Sequence, residues 1–524
     1  MRIGVLMLSL VMTGASLAED IPPPAVLDHE RLETFIERGM ADWQIPGLAV
    51  AVVHADEVIY QQGFGVLGLD DDRPVDNHSL FGVASTSKAM TVAALAMLVD
   101  EGKLDWDDRV IDHLPWFRLS DPWVTHEVRV RDLLTHRVGV GRMTGNRLQF
   151  MNEASPRQVI EQMRHLAFEQ PFRSRYVYSN VMYSVAGQLI PAITDQSWDD
   201  FVQQRLFQPL GMTRSNTSIE QLQGDGNAAW PHQFIDGQVQ SIPRRNFDNV
   251  GPAASVNSSV ADMAQWMRLQ LGEPGVYNGE RLISEQQMNE MHQPQMAIGR
   301  DDPSSPMTAY GLGWHLSHYQ GHMISQHGGA SDGMNTQLVM VPGLDLGIVV
   351  VSNTFNTFRM ALANTLMDAF IQPDEPKDWH QHYFDEYQQR FDEVMQQRQA
   401  IHDARLEGTE PSVEKAELVG HYHDPLYKSL DVRQTADGGL QLRFWDSDQH
   451  LADLEHWHLD TWRASWQNPA RREKFVDFDF DRDGQVAAIN VTFTLRPRLL
   501  QAGIYPSDYQ RTVRFERVNP EGFL

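Results

Sequence analysis

Residues 81–100 read FGVASTSKAMTVAALAMLVD, and no other stretch of the chain says as much about the fold. Small and apolar residues fill nearly every position after Lys88, which predicts a buried helix that stops near Gly102. Ser85 and Lys88 are three residues apart, so on a helix their side chains share one face. A hydroxyl beside an amine is the pairing that a nucleophile and its base require.

An S-x-x-K pattern has little weight alone, because Ser85 could be a helix cap and Lys88 a solvated surface residue. Ser412 and Lys415 repeat the pattern after Pro411, among charged neighbours and with no apolar helix behind them, so we interpret that copy as accidental. Lysine is also scarce here, with six among the 43 basic residues. Arginine cannot release its proton near neutral pH, whereas a partly desolvated lysine can, which favours a chemical role for Lys88.

Outward from this helix, the next informative segment is Tyr178-Ser179-Asn180 in RYVYSNVMYSVAGQLI. A tyrosine acts as a general base when a neighbouring cation such as Lys88 favours its phenolate, and an asparagine side chain can both donate and accept hydrogen bonds. The alternative is a loop tyrosine that caps the helix predicted to follow.

The third segment is His327-Gly328-Gly329, which follows the strand-like run HMISQ. Paired glycines let a backbone approach a substrate closely, and an edge strand binds an extended acyl group through main-chain hydrogen bonds. The overlapping residues 329–333, GASDG, fit the G-x-S-x-G nucleophile elbow. That motif needs a helix after it, whereas MNTQLVMVP has strand character, so we reject the elbow.

The ordered motifs STSK, YSN and HGG resemble those of serine hydrolases related to class C β-lactamases and D-alanyl-D-alanine peptidases. RVRDLLTHRVGVG, PAASVNSSVADMAQWM and YGLGWHL resemble further segments of that family. The resemblance implies an α+β, penicillin-binding-protein-like fold over residues 27–371, with an antiparallel sheet flanked by a helical region. Residues 414–524 resemble a lipocalin-like β-domain that some of these hydrolases carry.

The resemblance also implies roles for individual residues. Ser85 would attack a carbonyl carbon, Tyr178 with Lys88 would take the serine proton, and Asn180 would hold the substrate amide or Lys88. The backbone N–H groups of Ser85 and Ala330 would form the oxyanion hole.

His327, Gly328 and Gly329 would bind the substrate. Many family members carry lysine where this chain has His327, so a fixed positive charge for a substrate carboxylate is not expected. This departure favours uncharged amides or esters over β-lactams and cell-wall peptides.

The chain divides into four predicted parts. Residues 1–18 have a positive charge, an apolar run and small residues before the predicted cleavage point, which is typical of a secretory signal peptide. Residues 27–371 form the hydrolase domain and residues 372–413 a linker with a polar helix. Residues 414–524 alternate short strands with turns, which predicts a small antiparallel barrel.

Composition narrows the function further. The 524 residues carry 43 basic and 70 acidic side chains, a net charge of −27 that disfavours binding to nucleic acid or anionic membranes. The absence of cysteine excludes disulfides, thiolate metal sites, a cysteine nucleophile and a lipoprotein anchor. Together with the predicted signal peptide, the absence of a lipoprotein cysteine leads us to expect a periplasmic or secreted protein.

Metal and calcium patterns are weak. His456 and His458 lie two apart on a predicted strand, near His421 and His423, but surface histidines on a sheet are more common than ligands. Residues 479–484, DFDRDG, copy half of a calcium loop and fit a hairpin turn better. We predict no metal and no cofactor.

The sequence thus predicts an exported serine hydrolase that cleaves amide bonds of small peptides, including those with D-residues, or related amides, through an acyl-enzyme on Ser85. A carboxylesterase or a β-lactamase could use the same residues, and a binding protein without catalysis is a further alternative. The segments 142–153 and 224–249 lie between the motifs, and we expect them to line the cleft. The sequence does not indicate an oligomeric state.

Overall fold

The computed structural model describes residues 28–141, 154–235, 237–299, 307–445, 447, 450–469, 471, 473–494 and 510–518. The predicted signal peptide and the segment 142–153 lie outside these residues. Within the described ranges, no helix combines the length and the apolar character that a membrane span requires.

The α-helices are, in chain order, α1 (His29–Asp42), α2 (Ser87–Asp100), α3 (Val110–His113), α4 (Pro122–Glu127), α5 (Val130–Leu134), α6 (Pro156–Glu161), α7 (Asn180–Thr194), α8 (Trp198–Val202), α9 (Ile219–Gly224), α10 (Gly251–Ala254), α11 (Val260–Gln270), α12 (Glu285–Met291), α13 (Phe358–Ile371), α14 (Trp379–Asp403) and α15 (Lys415–Leu418).

The strands of the first part of the chain are β1 (Gly47–His54), β2 (Glu57–Gly68), β3 (Asp71–Pro74), β4 (Phe81–Gly82), β5 (His232–Ile235), β6 (Gln238–Ser241), β7 (Asn257–Ser258), β8 (Val276–Tyr277), β9 (Glu280–Arg281), β10 (Met296–Ile298), β11 (Thr308–Tyr310), β12 (His315–Tyr319), β13 (His322–Ser331), β14 (Met334–Val341) and β15 (Leu346–Ser352). Nine of them build a sheet in the order β10-β11-β12-β13-β14-β15-β1-β2-β3, with antiparallel neighbours, and the other six pair as β4-β7, β5-β6 and β8-β9. β1 and β2 form a hairpin, and so do β14 and β15.

Strand β1 explains why its sequence, GLAVAVV, shows no alternation of polar and apolar residues. Ala49, Ala51 and Val53 pack in the core that contains α2 and α11, while Leu48 and Val50 pack against α1 and α13 on the opposite face. Successive side chains of a strand point to opposite faces, so a sheet covered by helices on both faces needs apolar residues throughout. The predicted α+β arrangement, with a sheet flanked by helices, is confirmed.

The remaining strands form a separate closed barrel: β16 (Gly420–Asp424), β17 (Lys428–Gln434), β18 (Leu440–Phe444), β19 (Leu451–His458), β20 (Thr461–Trp466), β21 (Lys474–Phe480), β22 (Val486–Thr494) and β23 (Gln510–Val518). Antiparallel pairing of β16 with β23 closes the barrel. In β18 the buried Leu440, Leu442 and Phe444 alternate with partly exposed residues, as a barrel with a filled interior requires. The predicted antiparallel barrel is confirmed.

Helix α14 contacts the barrel through Glu473, the residue immediately before β21. One Glu473 carboxylate oxygen lies 2.9 Å from Nε of Arg398 and 2.9 Å from Nε2 of His402, both on α14. The predicted connector helix therefore also contacts the barrel.

Candidate active site

Ser85 lies in a 3-10 turn, Ala84–Thr86, that connects β4 to α2. The sequence predicted Ser85 on the helix itself, but α2 begins at Ser87. Ala84 has a φ of 49°, in the left-handed region that is costly for a residue with a side chain. The Ser87 hydroxyl holds this turn by donating to the Ala84 carbonyl at 2.6 Å and accepting from the Val256 amide at 3.1 Å.

Lys88 is fully buried, and its amine faces the segment around Tyr178. Nζ donates to the Ala253 carbonyl oxygen at 2.8 Å and lies 4.8 Å from the centre of the Tyr178 ring and 5.3 Å from that of Tyr183. The hydroxyl of Thr91, one turn later on α2, donates to the Pro252 carbonyl at 2.7 Å and fixes α10 beside the lysine. Three segments that are distant in sequence thus meet at this amine.

Tyr178 and Asn180 are both buried, at the junction between a loop and α7, where Asn180 is the first helical residue. The backbone N–H of Ser179 between them donates to Nδ1 of His136 at 3.0 Å. The His136 ring centre is 4.3 Å from that of Tyr178. The only signal for His136 in the sequence is its place in the family-like segment RVRDLLTHRVGVG.

A buried carboxylate fixes the loop before Tyr178. Asp132 is fully buried and accepts from Arg137 Nε at 2.5 Å, from Arg173 Nη2 at 2.6 Å and from the Arg129 amide at 2.9 Å. Arg173 belongs to the loop and Arg137 follows His136, so this network ties the loop to the segment that contains His136. The contribution of Arg173 could not be predicted, because it lies 41 residues from Asp132 along the chain.

Gly328, Gly329 and Ala330 lie inside β13, whereas the sequence predicted the HGG motif after a strand. Pairing with β12 ends at Gln326, but pairing with β14 continues to Ser331. Because hydrogen-bonding groups alternate between the two edges of a strand, the end of β13 presents main-chain groups on the edge that β12 does not cover.

Gly329 brings this strand against the Ser85 turn. A side-chain carbon at Gly329 would lie only 2.1 Å from the carbonyl oxygen of Val83, so no larger residue fits without movement of the backbone. This close approach is what the glycines of the motif predicted. Residues 329–333 run from β13 into the hairpin with β14, which rules out the strand–turn–helix context of a nucleophile elbow.

His327 is buried, and both of its ring nitrogens contact protein groups. Nδ1 lies 2.8 Å from the Gly328 carbonyl oxygen and Nε2 lies 3.0 Å from the Tyr310 hydroxyl. A carbonyl oxygen can only accept, so the proton is on Nδ1, and Nε2 accepts from Tyr310. Burial raises the pKa of Tyr310, which keeps that hydroxyl protonated.

The His327-Gly328-Gly329 motif carries no positive charge. Burial, reinforced by the nearby His315 and Lys88, holds the pKa of His327 well below its ordinary value, so the imidazole is neutral at pH 7. The ring of His327 does not offer the cation that a lysine would offer. Any substrate contact at this position is left to the backbone of β13.

An open pocket adjoins the serine turn. Its wall includes Ala84, the residue before Ser85, and Ser331, the residue after Ala330. Arg244 and Arg245 also line it, from the segment 224–249 that the sequence predicted to border the cleft.

The barrel histidines considered as metal ligands form hydrogen bonds instead. His456 Nε2 lies 2.7 Å from the Leu459 carbonyl oxygen, His458 Nδ1 accepts from the Leu406 amide at 3.1 Å, and His421 Nδ1 lies 2.7 Å from Asp431. No group of three or more histidine, aspartate or glutamate side chains suited to a metal ion occurs in the described part of the chain.

Comparison with known proteins shows which protein family this chain resembles. The Beta-lactamase family matches residues 32–370, and a domain of unknown function, DUF3471, matches residues 404–502. Unguisins hydrolase ungD' of Aspergillus campestris is 28% identical over 455 residues, which cover 83% of this chain and 81% of that protein. Penicillin-binding protein 4 of Amycolatopsis lactamdurans is 28% identical over 372 residues, which cover 67% of this chain and 94% of that protein.

Solved structures share the fold. The octameric penicillin-binding protein homologue from Pyrococcus abyssi has a TM-score of 0.59 at 19% identity and covers 89% of this chain and 98% of its own. SurE has a TM-score of 0.56 at 18% identity and covers 93% of this chain and 98% of its own. With a family match over more than half of its length, the chain belongs to the beta-lactamase family, whose β-lactamase and penicillin-binding-protein-like members are serine hydrolases.

Proposed function

We propose that this protein hydrolyses amide bonds of small peptides, including peptides with D-residues, through an acyl-enzyme on Ser85. The observation that carries the proposal is the position of the Lys88 amine. It is fully buried, lies three residues after the serine and is 4.8 Å from the centre of the Tyr178 ring. A nucleophile, an amine and a phenol from separate segments are the groups that a proton-transfer chain needs.

In the acylation step, the Ser85 oxygen bonds to the substrate carbonyl carbon while its proton passes to Tyr178, beside the Lys88 amine. The backbone N–H groups of Ser85 and Ala330 stabilise the negative charge that develops on the carbonyl oxygen. The C–N bond then breaks, and the proton moves from Tyr178 to the departing nitrogen. The amine product leaves, and the acyl group stays on Ser85 as an ester.

In the deacylation step, water attacks the ester carbon and gives its proton to the same Tyr178 and Lys88 pair. The Ser85 oxygen leaves with that proton and the free enzyme is restored. Asn180 orients the substrate amide during both steps.

The neutral His327 favours substrates without a carboxylate at the third motif. A buried imidazole with a pKa well below its ordinary value supplies no ion pair. Uncharged peptides gain the most from the main-chain groups of β13, which bind amides rather than charges. The relatives include proteins named unguisins hydrolase and penicillin-binding protein, and both names are compatible with acyl-transfer chemistry.

Export is part of the proposal. Residues 1–18 have the composition of a secretory signal, so the mature protein acts in the periplasm or outside the cell. Sequencing the N-terminus of the purified mature protein tests this. A chain that still begins at Met1 would contradict it.

The activity is tested by assaying the protein and Ser85→Ala together on D- and L-amino-acid anilides, a short-chain p-nitrophenyl ester and a chromogenic cephalosporin. We expect anilide hydrolysis that disappears in Ser85→Ala. Ester turnover without anilide turnover would identify a carboxylesterase, and cephalosporin turnover above both would identify a β-lactamase. Equal rates for the two proteins would overturn the role of Ser85, and inactivity on all substrates would favour a binding protein.

A further inference from the structure

One residue that the catalytic steps do not use, His136, binds the backbone on both sides of Tyr178. The backbone N–H of Val177 donates to the His136 carbonyl oxygen at 2.7 Å. The backbone N–H of Ser179 donates to Nδ1 of the same histidine at 3.0 Å. The residues before and after Tyr178 are therefore both fixed to His136, one through its main chain and one through its side chain.

The backbone of His136 has an unusual conformation that its neighbours maintain. Its φ is 57°, in the left-handed region that is costly for a residue with a side chain. The Tyr183 hydroxyl donates to the Leu134 carbonyl at 2.6 Å, and the Arg173 amide donates to the Arg137 carbonyl at 2.7 Å. Contacts thus hold the chain on both sides of His136. Such conformations persist where the surrounding structure determines them, and they concentrate at functional sites.

The imidazole also contacts the phenol ring that Lys88 approaches. His136 is fully buried, and its ring centre lies 4.3 Å from that of Tyr178, with 37° between the ring planes. The Lys88 amine lies 4.8 Å from the centre of the same Tyr178 ring. Packing of the imidazole therefore limits how far the phenol can turn away from the amine.

The hydrogen bond to Ser179 defines the chemical state that His136 needs. A backbone N–H can only donate, so Nδ1 accepts and carries no proton, which makes the imidazole neutral with its proton on Nε2. The contact requires an acceptor at this place and not a proton donor. Asparagine carries its Oδ1 the same number of bonds from the backbone, so it can supply that acceptor without a ring.

We propose that His136 is a positioning residue of the hydrolase, whose Nδ1 fixes the backbone at Ser179 and so sets the position of the Tyr178 phenol beside Lys88. His136 exchanges no proton with the substrate and acts only through Tyr178. The inference rests on the proposed function, because it takes Tyr178 to be the group that receives the serine proton.

Two variants separate the acceptor from the ring. His136→Phe keeps an aromatic ring and removes the acceptor, which leaves the Ser179 N–H buried without its partner. We expect kcat on the best wild-type substrate to fall by about a hundredfold with KM nearly unchanged, the usual effect of a catalytic group displaced by about 1 Å. His136→Asn should recover most of this loss, because Oδ1 replaces Nδ1 and asparagine tolerates a positive φ.

His380→Phe is the matched control. His380 is also buried, with its ring centre 4.8 Å from that of Trp43 and its Nε2 2.9 Å from an Asp42 carboxylate oxygen. Its replacement should lower the melting temperature and leave kcat unchanged. The proposal is overturned if His136→Phe lowers only the melting temperature, or if His136→Asn and His136→Phe have equal kcat.

A double variant tests whether His136 acts through Tyr178. Residues that act as a unit have non-additive effects, so His136→Phe should lower kcat little further once Tyr178→Phe is present. The same hundredfold loss in both backgrounds would show that His136 acts by another route, and would overturn the proposal.

A measurement without substrate distinguishes failure of this inference from failure of the proposed function. Fluorine NMR of the protein with 3-fluorotyrosine in place of Tyr178 reports how well the ring is held. One narrow signal in the wild type and in His136→Asn, with a broadened or split signal in His136→Phe, supports the positioning even if no substrate is hydrolysed. A broad wild-type signal, or a narrow signal in all three proteins, would overturn it even if Ser85-dependent hydrolysis is observed.

Discussion

The amine of Lys88 lies 4.8 Å from the centre of the Tyr178 ring, although the two residues belong to segments far apart in the sequence. The contact forms because α2 and the start of α7 both pack against α10, whose Ala253 carbonyl accepts a hydrogen bond from Lys88. Both residues are buried, so their geometry is fixed by packing rather than by solvent-exposed rotamers.

Replacement of Lys88 should abolish activity. Lys88→Met keeps the length of the side chain but removes the amine, and we expect kcat/KM to fall by about a thousandfold, within the usual range for a proton-transfer group. Lys88→Arg should fall as far, because a guanidinium does not release its proton and is too large for a fully buried site. Lys103→Met is the matched control, since Lys103 follows the same helix and is 53% exposed. Activity of Lys88→Met close to that of Lys103→Met would show that Lys88 has only a structural role.

Substitution of Gly329 by alanine should displace β13 from the Ser85 turn. The added carbon would lie 2.1 Å from the Val83 carbonyl, and relief of such overpacking typically costs about 1–3 kcal/mol. We expect a lower melting temperature and a loss of kcat/KM, measured by calorimetry and with the most active anilide. Gly343→Ala lies in the neighbouring hairpin, with its closest contact at 4.0 Å, and should behave like the wild type. Equal stability and activity of the two variants would contradict the close approach.

Neutralisation of Asp132 should loosen the loop that positions Tyr178. Asp132 is fully buried and pairs with Arg137 and Arg173, so Asp132→Asn leaves two cations with a weaker partner and should destabilise the protein by about 3–5 kcal/mol. Urea unfolding measures this change. Asp107→Asn is the control, because Asp107 is 49% exposed and its ion pair with Arg131 is screened by water. A loss of stability no larger than that of the control would show that the network does not hold the loop.

His292 should make the free energy of unfolding depend on pH below neutrality. Its ring is stacked on Trp314, and burial lowers its pKa from 6.5 to about 4. Between these values the unfolded chain binds a proton that the folded chain does not, so stability falls as the pH falls. The contribution is fully present above pH 6.5 and reaches roughly 3 kcal/mol of lost stability near pH 4.

The measurement compares the unfolding free energies of the wild type and His292→Gln at pH 7 and pH 4. The decrease between the two pH values should be smaller in the variant by roughly that amount. The comparison with the variant cancels the titration of the carboxylates, whose effects are common to both proteins. The same decrease in both proteins would contradict a His292 that stays neutral in the folded protein.

Local patterns were sufficient for much of the fold. The unbroken apolar run of β1 fits a strand in a sheet that is covered on both faces, because such a sheet leaves no position for a polar residue. Turn residues between short alternating segments indicated the barrel, since the alternation reflects its filled interior. The helix after Lys88 was predicted from its continuous run of small and apolar residues. That Ser85 lies before this helix, in a 3-10 turn, could not be predicted, because the turn depends on a contact with the distant Val256.

The candidate site was harder to predict wherever it depends on contacts between distant segments. The pairing of Ser85 with Lys88 could be predicted from the sequence because the two residues are only three positions apart. The contact of His136 with Tyr178 is invisible in the sequence, since the two residues have no spacing or composition that differs from ordinary packing. The neutral state of His327 could be expected only as the absence of a lysine, because its cause is burial.

Intact-protein mass spectrometry, after a brief reaction with a p-nitrophenyl ester and rapid acid quenching, shows whether Ser85 carries the acyl group. We expect one added acyl group on the wild type, located on Ser85 by peptide mapping, and none on Ser85→Ala. Hydrolysis that proceeds equally in Ser85→Ala, or an acyl group found on another residue, would contradict it.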